Sequence, residues 1–137
     1  MKRVLILHVR AGAGHERAAR AVERAMQQLD PNAEPIVRDA LEDSSPLFKA
    51  LYASTYNRMV ARAPKVWGFV YRRFQRTPIE GFRQELRTRI TLWNSRGCLD
   101  AVERFRPDAI LCTQFLPAEV YAFLREQGRI RVPVSCV

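Results

Sequence analysis

The sequence lacks any stretch approaching the ~20 consecutive apolar residues that cross a bilayer as a helix. Its opening, Met1 to Val9, carries no secretory cleavage pattern and reads directly as a strand. The protein is therefore expected to be soluble or peripheral. Cysteine is scarce as well: Cys98, Cys112 and Cys136 are odd in number and widely spaced, with no CxxC pair and no nearby histidine to complete a metal site. No metal is expected, and the thiols read as reduced ones in the cytoplasm. Repeats, low-complexity tracts and linkers are missing too. With 47% apolar and 27% charged residues in 137, the composition excludes a disordered chain and predicts one folded core of ordinary domain size.

Acidic residues are the other shortage, 14 against 23 basic ones, for a net charge of +9. The excess is localised. Residues 1–57 hold 8 basic and 7 acidic side chains, residues 58–96 hold 10 and 2, and residues 97–137 hold 5 and 5. The middle segment also carries 6 of the 13 aromatics: Trp67, Phe69, Tyr71, Phe74, Phe82 and Trp93.

Val4 to Val9 (VLILHV) is an apolar run without alternation, the pattern of a strand covered on both faces, as in parallel sheets. A small-residue turn at Ala11 to Gly14 follows, then residues 15–29, which place Ala18, Val22, Ala25, Met26 and Leu29 at helical spacing. Glu34 to Arg38 is the second predicted strand, in which Pro35 argues for an edge or a strand start. Asp108 to Thr113 repeats the buried-strand pattern, Ala118 to Glu126 reads as a helix, and Val132 to Val137 as a further strand. Two or three helices are expected between residues 39 and 107. Strand, glycine turn, helix, strand is the start of a Rossmann-like, doubly wound α/β sheet, here with an inserted basic helical segment. The chain stops inside its last predicted strand, which reads as a domain cut from a longer protein.

Gly12, Ala13, Gly14 and His15 fall where the first strand gives way to the first helix. Ligands gather at the carboxyl ends of strands in open α/β sheets, and free N–H groups at a helix start favour anions. Glycine permits close backbone approach and positive φ. The spacing is neither GxGxxG nor GxxxxGK, so no dinucleotide or P-loop fingerprint is present. His15, placed at the first helical position, is a base for a hydroxyl acceptor, because a helix N-terminus disfavours imidazolium. From spacing alone, a tight turn followed by a surface histidine is an equally good reading. His8, inside an apolar strand, reads as a packed core histidine.

The residues VLIL at 4–7, GAGH at 12–15 and the pair Ala18, Ala19 resemble the opening of the family that contains monogalactosyldiacylglycerol synthase and the bacterial processive diacylglycerol glucosyltransferases. Pro107 to Pro117 (PDAILCTQFLP) is similar to a strand and loop of that family, and VPVSCV to the strand closing its N-terminal domain. The resemblance implies that residues 1–137 are the N-terminal, acceptor-binding half of a GT-B glycosyltransferase, with the C-terminal nucleotide-sugar-binding domain absent from the sequence. It further implies transfer of a hexose from a UDP-sugar to diacylglycerol with inversion, without a cofactor or an obligatory metal. His15 would be the general base, and Gly12, Ala13, Gly14, Thr113 and Gln114 would line the acceptor site. Two departures bear on the acceptor: Gln114 replaces the family's usual His, and His8 and Val9 stand where small polar residues are common. More distantly, the glycine loop and histidine resemble the N-acetylglucosaminyltransferase of peptidoglycan lipid synthesis, so a polyprenyl-linked acceptor is the alternative.

In the basic segment, Trp67, Val70, Tyr71 and Phe74 lie at i, i+3, i+4 and i+7, with Lys65, Arg72, Arg73 and Arg76 around them. This is the composition of a helix lying in a membrane interface, and the expected location is peripheral, on the inner face of the cell membrane. An ordinary helix packing its aromatic stripe on the sheet would look similar. Concentration of the net charge in one segment favours the anionic surface. A pI near 10.3 also fits a nucleic-acid-binding module. No zinc-finger spacing, RNA-recognition aromatic signature or helix-turn-helix accompanies it, so no nucleic acid is expected.

Overall fold

A computed structural model describes residues 2–10, 13–62 and 95–137. They belong to two compact units, one formed by Met1–Ser44 with Ser95–Val137 and the other by Ser45–Asn94. The described element of the second unit is α2 (Pro46–Arg62), in which the rings of Phe48 and Tyr52 stack at 5.9 Å, one helical turn apart. The basic segment from Lys65 to Arg76 lies outside the described residues.

The first unit contains β1 (Arg3–His8), α1 (Ala13–Leu29), β2 (Glu34–Asp39), a 3-10 turn (Ala40–Asp43), α3 (Ser95–Phe105), β3 (Ala109–Cys112), α4 (Phe115–Glu126) and β4 (Val134–Cys136). Among the described residues the four strands make one sheet in the order β2-β1-β3-β4, parallel throughout. The α/β, Rossmann-like expectation holds, including the edge position of β2 with Pro35 in it.

Buried position explains the apolar run of β1. The strand is central, and Leu5, Ile6 and Leu7 are fully buried although successive side chains point to opposite faces. Each contributes about 1.5–3 kcal/mol by leaving water. Helices cover both faces: α1 packs on β1 and β2, while α4 packs on β3 and β4 with α3 and the 3-10 turn alongside. Val120, Tyr121 and Leu124 of α4 are buried there together with Cys98 and Ala101 of α3. Helix α3 ends in a left-handed residue, Arg106 with φ 43°, and Pro107 prevents its continuation.

The core-facing stripe of α1 differs from the expected one. Ala19 is buried and Val22 and Met26 are half-buried, whereas Ala18, Ala25 and Leu29 are exposed. Adjacent alanines at 18 and 19 leave the apolar pattern undetermined by one residue, or about 100° of rotation, and the sheet selects the phase that sets the small Ala19 against it.

Candidate active site

The chain leaves the carboxyl ends of β1 and β3 in opposite directions: β1 feeds α1 and returns as β2, and β3 feeds α4 and returns as β4 on the other side. These two central strands are direct neighbours, with Leu7 beside Cys112. The gap above them is the topological switch point at which open α/β sheets bind ligands. His15 rises from one side of it and Thr113 from the other.

The two residues are joined reciprocally. Nδ1 of His15 lies 2.6 Å from the main-chain carbonyl of Thr113, and the Thr113 hydroxyl donates to the main-chain carbonyl of His15 at 2.9 Å. A carbonyl oxygen only accepts, so Nδ1 carries the ring proton. In the neutral imidazole the lone pair is then on Nε2. Thr113 is itself fixed by its N–H, which donates to the Leu7 carbonyl at 2.9 Å and extends the β1–β3 ladder by one residue. A histidine held at one nitrogen by a main-chain carbonyl, with the other free to accept, is the arrangement of an oriented general base.

The other expected site residues divide. Ala13 and Gly14 are exposed at the start of α1, so His15 is the third residue of the helix rather than the first. Gly14 has no positive φ, and a Cβ there would meet nothing within 4 Å; the expected conformational role falls away, and only close backbone approach is left to it. Gly12 lies outside the described residues. Gln114 is buried and its Oε1 accepts from the Leu116 N–H at 2.9 Å, capping α4. Lys65, Trp67, Tyr71, Arg72, Arg73, Phe74 and Arg76 are outside the described residues.

His8, the last residue of β1, is buried, and among the described residues its Nδ1 has no hydrogen-bond partner. Burial holds its pKa below the ordinary histidine range; Asp39 and Glu16 oppose this, and Arg10 and Arg20 reinforce it. Nothing in the residue pattern around it signals that the ring would be left unpaired. The thiols are poor candidates for chemistry. Burial, with Cys136 and Cys98 nearby, pushes Cys112 up to about 12, and burial also raises Cys136. Among the described residues no cluster of His, Cys, Asp and Glu could hold a metal ion, and no helix is long and apolar enough to cross a membrane.

A parallel, doubly covered α/β sheet with an oriented histidine at its switch point defines the class: a Rossmann-like domain. A family model described as monogalactosyldiacylglycerol (MGDG) synthase matches residues 15–137, and the chain belongs to that family of glycolipid-forming glycosyltransferases. The matched span begins at His15 and takes in Thr113 and Gln114. No curated protein and no solved structure matches the chain.

Proposed function

We propose that this chain is the acceptor-binding half of an inverting glycosyltransferase that moves a hexose from a UDP-sugar to diacylglycerol, with His15 as the general base. The observation that carries the reading is the 2.6 Å contact from His15 Nδ1 to the Thr113 carbonyl, which leaves Nε2 with the lone pair at the sheet's switch point. As the acceptor oxygen attacks the anomeric carbon, its proton passes to Nε2, the bond to UDP breaks and UDP departs with the electron pair. One displacement inverts the carbon. The donor is assigned to a second Rossmann-like domain facing this one, and the +8 segment at residues 58–96 to the anionic membrane that contains the acceptor.

The test is His15→Ala in the full-length enzyme, offered diacylglycerol and a polyprenyl-linked sugar side by side. The expected result is a fall in kcat of roughly 10²–10⁴, the usual contribution of a positioned base, with KM for the lipid changed much less. Near-normal kcat places the base elsewhere. Product formed only on the polyprenyl-linked acceptor transfers the enzyme to the alternative substrate class.

A further inference from the structure

Thr113 reaches His15 across 98 positions of sequence with two of its polar groups and is tied to β1 by a third. Its hydroxyl has a single proton and two carbonyls in range, His15 at 2.9 Å and Leu7 at 3.4 Å. The shorter contact takes the proton. The carbonyl and hydroxyl of Thr113 therefore both serve the same residue, one at the ring and one at the backbone. Thr113 is buried, 5% exposed, which leaves little of it for a lipid to touch.

We propose that Thr113 is a positioning residue, which holds His15 in one orientation and in the tautomer with the proton on Nδ1, rather than a residue that contacts the acceptor. This rests on His15 being the base. A neutral imidazole without a fixed partner divides between two tautomers, and only one presents Nε2 as an acceptor. The carbonyl of Thr113 selects that tautomer by accepting from Nδ1–H. The hydroxyl keeps the carbonyl and the ring in register by pinning the first turn of α1 to the end of β3. Without the hydroxyl, the main-chain carbonyl survives but the helix that carries the ring is released from it.

The experiment uses full-length enzyme with Thr113→Val, which keeps the β-branched shape and removes the hydroxyl, and Thr113→Ser, which keeps the hydroxyl. Thr113→Val is expected to lower kcat by about 10–100-fold, the range for loss of a supporting hydrogen bond, with KM for the acceptor little changed. Thr113→Ser recovers most of the loss. Nitrogen-15 spectra of the histidine rings, with His15 assigned by its absence from His15→Ala, are expected to show Nδ1–H in the wild type and a mixture of tautomers in Thr113→Val. A wild-type ring protonated on Nε2 overturns the proposal even where Thr113→Val fails to fold. So does Thr113→Val with unchanged kcat and ring spectrum, or one that raises KM alone, which returns Thr113 to the acceptor. Loss of the Nδ1–H signature in Thr113→Val, with His15→Ala still fully active, sustains the positioning and refutes the base. The two claims thus fail separately.

Discussion

The main-chain carbonyl of Asp43 occupies the space that a side chain on Gly97 would need: a Cβ built on Gly97 collides with the Asp43 backbone. The contact seats α3 directly on the 3-10 turn. Asp43 is also the partner of Arg38, bound to Nη2 at 2.8 Å and Nε at 3.2 Å, while the Arg38 guanidinium stacks 5.2 Å from the centroid of Phe105 at the end of α3. Gly97→Ala is predicted to destabilise the full-length protein by about 1–3 kcal/mol, because backbone rather than a flexible side chain must move. A urea midpoint equal to that of the wild type would show that α3 shifts freely.

Stability should also depend on His8. Its pKa lies below the unfolded value of about 6.5 because the ring is buried. The unfolded chain takes up a proton first as pH falls, so stability is fully present above about pH 6.5 and declines below it until the folded ring also protonates. Carboxylates titrate lower, near pH 4, and leave the window between about pH 7.5 and 5.5 to histidines. His8→Leu is predicted to flatten the denaturation midpoint across that window. An equal slope in both proteins would assign it to other groups.

The sheet was readable because a central parallel strand must be apolar on both faces, and VLILHV leaves few other solutions. The edge position of β2 was readable for a negative reason, since Pro35 lacks a ladder donor. The phase of α1 was not, because Ala18 and Ala19 weigh equally in any periodicity while only packing separates them. At the site, glycines and His15 identified the loop, but the partner that fixes the ring is a main-chain carbonyl, which every residue possesses. No residue type could have flagged Thr113 for that bond. The buried, unpaired Nδ1 of His8 was hidden for the same reason: pairing is settled by neighbours brought together from β2 and α1.

Charge reversal at Arg72, Arg73 and Arg76 together is predicted to weaken binding to anionic vesicles by at least about 100-fold, the loss of three attractions alone. Each basic residue near such a surface contributes about 1 kcal/mol, and every 1.4 kcal/mol is tenfold. The motivation is the 10 basic and 2 acidic residues at 58–96. The difference should shrink in high salt, because the screening length falls from about 8–10 Å at physiological ionic strength to about 3 Å at 1 M. Unchanged sedimentation with vesicles at low salt would detach the segment from the membrane.

Gly14 separates a glycine kept for folding from one kept for a ligand. It lies in the first turn of α1 with ordinary φ, and a Cβ added there touches nothing within 4 Å. Alanine is favoured over glycine in a helix interior by about 1 kcal/mol, so Gly14→Ala is predicted to keep or slightly raise the stability of the full-length enzyme. It is one residue before His15, at the end of the sheet to which the proposed function assigns the acceptor. If the bare backbone admits the acceptor, the added methyl stands in its path and kcat/KM for the lipid falls at least tenfold, equivalent to about 1.4 kcal/mol. Measured together, unchanged melting and reduced kcat/KM assign Gly14 to the acceptor. Full activity at full stability would show that any small residue serves at this position.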